Sequence, residues 1–178
     1  MRVGTIDPMP YAIRRDLRPG DLGAISALHG RVYAAEHGLD ATFEADVAAW
    51  MADHVRRGFP RAREGLWVVE DDGRVAGSLA LTDEGDGLGR VRWFLLEPAA
   101  RGRGLGRRML DELLDHARAS GYACVELGTF SALTTAAAAY RRAGFRRVRG
   151  DRRRMWGRTI VLEHYELELD VPAASAAR

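Results

Sequence analysis

Apolar and polar positions along the chain alternate between two periods. Tyr11–Leu17 has partial alternation and predicts a first strand. The turn Pro19-Gly20-Asp21 follows, with Asp21 placed to cap a helix. Leu22, Ile25, Leu28, Val32 and Tyr33 then recur at helical spacing, and this helix should stop near Gly38. A second helix is expected from Thr42, with Glu44 and Asp46 in its first turn and Phe43, Val47, Trp50, Met51 and His54 on its buried side. Gly65–Glu70 and Arg74–Thr82 are β-rich runs joined by Asp71-Asp72-Gly73, a hairpin signal. A Gly/Asp loop at 83–89 leads to a strand at Val91–Leu96, closed by Pro98.

From Leu105, the residues Met109, Leu110, Leu113, Leu114 and Ala117 form one stripe of an amphipathic helix that should end at Ser120-Gly121. A strand at Ala123–Thr129 and a helix at Thr134–Ala143, stopped by Gly144, come next. Two more strands, Phe145–Arg149 and Thr159–Leu169, are expected on either side of an Arg-rich turn. Hairpins plus one β-α-β crossover imply an α/β (α+β) fold: a mixed sheet with helices packed on it. No repeat or linker divides the 178 residues, so one domain is expected over 1–178, with a core at 11–169 and a frayed tail at 171–178.

Composition narrows the function classes. Hydrophobic residues are 47% and charged residues 29%, ordinary for a globular chain with a real core. No apolar run approaches the ~18–20 residues of a membrane span, and the first ten residues carry no leader pattern. The single cysteine, Cys124, excludes an intramolecular disulfide and a multi-cysteine zinc site, and fits a reducing, cytoplasmic setting. The histidines have no metal-ligand spacing, so no metal is expected. All 27 basic residues are arginine, which rules out a P-loop lysine, a Schiff base and a lysine general base. The richness in Arg, Ala and Gly points to a GC-rich, bacterial coding genome and to no particular function. The net charge of +2 is too balanced to make nucleic acid the default partner. The nine arginines between Arg141 and Arg158 read as a solvated edge; the rival reading is a patch for RNA or an acidic protein.

The chemistry concentrates between Val91 and Arg108, where a strand runs into a glycine-rich turn that opens onto a helix. Free N–H groups there point at one spot, backed by the positive end of the helix dipole, and such a spot binds phosphate. Arg101, Gly102, Arg103, Gly104, Gly106 and Arg107 are the candidate ligands. The dinucleotide fingerprint fails because Arg107 stands at its third glycine. The pattern present is Arg-x-x-Gly-x-Gly, from Arg101, Gly104 and Gly106.

This segment resembles motif A of the GNAT superfamily of N-acetyltransferases, and Ala136 to Phe145 resembles that family's Ala-x-x-x-Tyr-x-x-x-Gly-Phe segment. The element order over 11–169 is similar too. Trp93-Phe94-Leu95 and Thr129-Phe130-Ser131 prompt a narrower likeness, to the acetyltransferase domain often fused to MarR-type regulators. The resemblance implies a mostly antiparallel sheet of about seven strands flanked by about four helices. It implies acetyl-CoA as co-substrate, held by the glycine loop and by the backbone of Phe94, Leu95 and Leu96. It implies direct transfer of acetyl to a primary amine, in a small molecule or a peptide, with Tyr140 as general acid. Late strands in this fold often pair between subunits, so a homodimer is an expectation. Leu133 stands where the family often has Asn, which removes one polar contact to the co-substrate.

The usual carboxylate base is absent, since Arg92 and Trp93 occupy its strand; Glu126 on the next strand is the nearest candidate, and a water relay is the alternative. Tyr33 and Trp93 are candidate acceptor contacts, with Glu36, His37 and Trp50 behind them. Acids at Glu36, Asp40, Glu44 and Asp46 suit a cationic acceptor, or are helix-face charges. Two rival functions stand beside catalysis: a non-catalytic acetyl-CoA sensor, and an Arg-rich nucleic-acid-associated protein.

Overall fold

The computed structural model describes residues 11–170. The expectations for the leader and for the 171–178 tail lie outside them. Seven strands form one sheet: β1 (Tyr11–Arg14), β2 (Gly65–Asp71), β3 (Arg74–Gly85), β4 (Leu88–Leu96), β5 (Cys124–Phe130), β6 (Arg146–Met155) and β7 (Arg158–Glu168). Their order across the sheet is β1-β2-β3-β4-β5-β7-β6. Only β4 and β5 run parallel; every other pair is antiparallel. Helices α1 (Asp21–His37) and α2 (Ala41–Arg56) lie on one face, α3 (Leu105–Ala119) and α4 (Thr134–Arg142) on the other.

The packing follows from the stripes. Leu105, Met109, Leu113 and Ala117 of α3 lie against Leu79, Leu81, Val91 and Val125 of the sheet. Phe43, Val47 and Met51 of α2 join Ile25 of α1 against Val68 and Ala80. β2 is buried on both faces from Gly65 to Val69, which explains its unbroken apolar run.

Several boundaries differ from expectation, each for a local reason. β1 ends at Arg14 because that guanidinium turns to Asp21 and Glu70, at 3.0 and 2.7 Å. Asp21 is therefore a buried ion partner inside the first turn of α1, and Gly20 is the cap residue. Trp50 is not buried: it is 44% exposed. The loop expected at 83–89 is a hairpin, since β3 runs to Gly85 and β4 starts at Leu88. Asp86-Gly87 turns it with positive φ at both residues, 48° and 77°, as a tight turn of the I′ class requires. The Arg-rich turn is likewise a strand. β6 carries its arginines to Met155 and reverses at Trp156-Gly157, with φ of 54° and 76°. An edge strand tolerates them because both its faces meet water. Arg147 to Glu163 at 3.3 Å and Arg149 to Asp151 at 3.0 Å are among the pairs it forms.

One irregularity shapes the functional half. β4 pairs with β5 only from Leu88 to Val91. Beyond Val91 the register with β3 slips: Ala80 faces Arg92 and Ser78 faces Leu95, so Trp93 and Phe94 share Leu79. Trp93 sits at φ 48°, a left-handed conformation unusual for a bulky residue. Ser78 Oγ donates to the Trp93 carbonyl at 2.6 Å and holds the bulge. Gly77 makes room beside it, because a Cβ there would lie 2.7 Å from the Leu95 carbonyl oxygen and 2.5 Å from a Leu96 methyl. Gly77→Ala should therefore cost ~1–3 kcal/mol in urea unfolding and weaken any ligand that binds along β4 beyond Val91. Unchanged stability together with unchanged ligand affinity would show that the bulge does not depend on that space.

Candidate active site

The divergence opens a cleft of about 1370 Å³ between β4, the start of α3, α4 and the helix pair α1–α2. Its floor at one end is the open edge of β4, from Trp93 to Leu96, which has no β5 partner. An unpaired strand edge is a row of amides ready to receive an extended chain.

The glycine loop stands at the mouth. A short helical turn at Pro98–Ala100 leads to Arg101, and Gly104 caps α3 in the left-handed region at φ 78°. Arg101 N–H reaches the Pro98 carbonyl at 3.2 Å and Arg108 N–H reaches Gly104 at 3.0 Å. Among the described residues, the peptide N–H groups from Gly102 to Arg107 find no acceptor in the protein. Nothing lies within 4 Å of the Cβ position at Gly102 or Gly104, so the space over these amides is open. Consecutive free N–H groups at a helix start make an anion nest. The loop thus fits the diphosphate of a coenzyme A group.

The loop arginines divide their work. Arg101 donates to the Leu96 carbonyl at 2.9 Å and to Glu36 of α1 at 2.8 Å, tying the end of β4 to both neighbours. Arg107 is exposed on the cleft rim, 3.6 Å from Asp111. The side chain of Arg103 turns away, toward the Ala99 carbonyl and the Tyr11 ring, so only its peptide N–H belongs to the nest.

Tyr140 lies on α4 in the cleft wall, 6.2 Å from the Phe94 ring and 6% exposed. Burial pushes its phenol well above the ordinary range, so it carries its proton at neutral pH. Tyr33 also lines the cleft, clustered with Phe43 at 4.6 Å and Phe130 at 6.0 Å, and burial pushes it up to about 12. Trp93 lines the cleft from the bulge and is 7% exposed. Thr129 Oγ1, on the same wall, is a buried hydroxyl without a protein partner. Leu133 precedes α4 and packs among the apolar residues beneath α2, leaving that helix start without a side-chain cap.

Glu126 does not face the cleft. Arg90, its neighbour across the parallel ladder, holds it by two hydrogen bonds, one of them 2.6 Å. The acids near the first helices are also engaged. Glu36 is bound by Arg101, Asp40 caps α2 at the Thr42 N–H, Asp46 accepts from the Trp156 indole at 2.8 Å, and the Glu44 side chain lies over Gly30. Glu36, Asp40 and Asp46 thus serve contacts within the protein rather than standing free for an acceptor.

His54 is the cleft group that spacing alone did not single out. Its Nδ1 lies 2.8 Å from the Trp50 carbonyl, so Nδ1 carries a hydrogen, and in the neutral ring Nε2 is the nitrogen with the lone pair. Its ring meets Trp93 edge-on at 5.5 Å. The signal was its place four residues after Trp50 on one helix face, obscured because that whole face reads as core. His29 also lines the cleft, but burial pushes it down to about 4. His164 is held by Arg149 at 3.2 Å. Among the described residues no group of three His, Cys, Asp or Glu side chains could hold a metal, and no helix is long and apolar enough to cross a membrane.

Residues 32–145 match the model of the acetyltransferase (GNAT) family. The chain is 41% identical over 80 residues to an IAA acetyltransferase of Azospirillum brasilense, covering 44% of this chain and 52% of that protein. It is 35% identical over 124 residues to a mycothiol acetyltransferase of Beutenbergia cavernae, covering 57% of this chain and 42% of that one. The chain thus spans about half the length of these curated relatives. The structure of yncA from Salmonella typhimurium, an acetyltransferase solved with acetyl-CoA, superposes with a TM-score of 0.68 over 95% of this chain and 99% of that one, at 23% identity. That likeness establishes the fold.

The nest makes a direct prediction. Gly104→Val forces a β-branched residue into the left-handed region, at ~1–2 kcal/mol, and places methyl groups over the amides. Coenzyme A affinity measured by calorimetry should fall at least ~10-fold. Retained affinity would mean that the loop does not grip the ligand.

Proposed function

The chain belongs to the acetyltransferase (GNAT) family, and from that premise we propose that it is an acetyl-CoA-dependent N-acetyltransferase that moves an acetyl group directly to a primary amine in a ternary complex. The observation that carries this reading is the pairing of an anion nest at Gly102 to Arg107 with an open strand edge at Trp93 to Leu96 in one cleft. The family uses acetyl-CoA, which supplies the activated acetyl thioester.

The nest and Arg107 grip the diphosphate. The backbone of Phe94, Leu95 and Leu96 takes the pantetheine arm as an added strand. One N–H of that edge holds the developing oxyanion, a contact whose loss costs ~10²–10³ in rate. Tyr140, kept protonated by burial, delivers its proton to the departing thiolate. A phenol above its ordinary range suits this only if the thiol is raised as well. The same dry wall disfavours both anions, so the two stay matched.

An acceptor amine arrives as ammonium at neutral pH and must lose a proton before attack. His54 Nε2 takes it in our reading. The cleft carboxylates are engaged, Glu36 with Arg101, Asp53 with Arg57 and Asp111 with Arg107. Glu126 serves as the anchor of Arg90. The narrower likeness to MarR-fused acetyltransferase domains adds no residue to this scheme.

Tyr140→Phe should lower kcat by ~10²–10⁴, read as thiol release from acetyl-CoA over a panel of primary amines, while acetyl-CoA still binds in calorimetry. An unchanged kcat removes Tyr140 as the acid; a wild-type protein that binds acetyl-CoA but acetylates none of the amines supports the sensor reading instead.

His54→Ala should lose ~10²-fold or more in kcat. Added imidazole should restore part of the rate, and the defect should shrink toward pH 10, where an amine of ordinary pKa ~10.4 begins to lose its own proton. Asp53, Arg56 and Arg57 flank it along the chain, Asp53 paired with Arg57, and Arg90 and Arg92 of β4 line the same cleft. A defect that neither imidazole nor high pH relieves would make His54 a packing residue.

A further inference from the structure

We infer that the acceptor carries a carboxylate beside its amine, and that Arg92 and Arg90 receive it; this rests on the acetyltransferase reading above. Both arginines stand on β4 just before the bulge and line the cleft. Two residues apart on one strand, they project from the same face of the sheet. Each is held from behind. Arg92 Nε donates to Thr82 Oγ1 at 3.0 Å and its Nη2 to Glu84 at 3.0 Å. Arg90 Nε donates to Glu126 at 2.6 Å, and its Nη2 donates to the same oxygen. Among the described residues, the Nη1 group of each makes no hydrogen bond in the protein. Two guanidinium groups fixed by rear carboxylates, each with spare donors, form a rigid receptor for a planar anion.

The alternatives fit less well. A polyamine or another polycation needs free carboxylates, and Glu36, Asp53 and Asp111 are already paired. Arg92 is the more committed of the two, with a side chain 18% exposed against 38% for Arg90. Trp50, half-exposed on α2, lines the same cleft and offers an apolar surface for the rest of the acceptor. The chemical class is therefore an α-amino acid or a close analogue, with an apolar side chain.

The test compares matched amines with and without the carboxylate: leucine against isopentylamine, phenylalanine against phenethylamine, and methionine against 3-(methylthio)propylamine. Thiol release from acetyl-CoA is followed, and binding of each amine to the acetyl-CoA-free protein is measured by calorimetry. We expect at least one carboxylated member to exceed its partner in kcat/KM by ~10-fold or more, the scale of one lost charge-assisted contact. Arg92→Gln should collapse that ratio to near unity, chiefly through KM, and weaken binding of the amino acid in calorimetry. Arg90→Gln, on the more exposed side chain, repeats the test if Arg92→Gln does not fold.

Equal or better turnover of the decarboxylated amines overturns the inference, as does a ratio that survives both substitutions. Activity confined to other amines overturns it while leaving the acetyltransferase reading intact. Absence of turnover with every amine, despite bound acetyl-CoA, removes both.

Discussion

The site depends on β4 leaving β5 after Val91. A parallel pair inside a mixed sheet would ordinarily zip to its end, because each unpaired buried amide costs free energy. Here the ladder stops after Leu88–Val91 against Cys124–Leu127. β5 continues from Gly128 to Phe130 with β7 as its only partner. The bulge at Trp93 turns β4 aside, and three contacts hold it there: the Ser78 hydroxyl on the Trp93 carbonyl, the bare Gly77, and Arg101 on the Leu96 carbonyl. Phe94 and Tyr140 then approach each other where the ladder would have closed. The strain of a left-handed Trp93 is offset by the helices packed on both faces, which fix the sheet around it.

The two ends of the cleft differ in the kind of positive charge they present. At the mouth it is backbone: six consecutive amides at the start of α3, with glycines leaving their surface open. Main-chain dipoles approach an anion closely and need no side-chain ordering. At the far end it is guanidinium, Arg90 and Arg92, each braced by a carboxylate. Between the two lies an apolar and aromatic wall of Tyr33, Phe43, Phe130 and Trp93, with the His37 and His54 rings packed against it. Such a wall favours neutral reacting groups, which is what attack by an amine on a thioester requires.

Much of this was legible in the chain. Stripes such as Leu105 to Ala117 and the hairpin at Asp72-Gly73 carry their own physics, so helices and strands fall close to where periodicity puts them. The glycine loop was legible for the same reason: the nest is local, made by a few successive residues. What escaped is non-local or masked by composition. Asp86-Gly87 and Trp156-Gly157 are tight turns of the same geometry as Asp72-Gly73, but one is hidden in a Gly/Asp tract and the other behind arginines. Asp21 looks like a cap until Arg14 and Glu70 are brought beside it. Glu126 looks like a free carboxylate until the parallel register sets Arg90 opposite. Spacing reports which face a residue takes; it is silent on the charge that awaits it there.

This explains why the functional half breaks several local rules in one place. A left-handed tryptophan, an unpaired strand edge, unsatisfied helix-start amides and a buried unpartnered Thr129 hydroxyl all border one cleft. Each is a cost in the empty protein, and a ligand of the proposed kind relieves several together. An arm laid along Phe94 to Leu96 completes the sheet, and a diphosphate completes the cap of α3. In the proposed mechanism, the binding free energy so gained fixes the thioester against the amide that holds its developing charge. A groove already satisfied by the protein itself would have been more stable and would have had nothing left to offer the transition state.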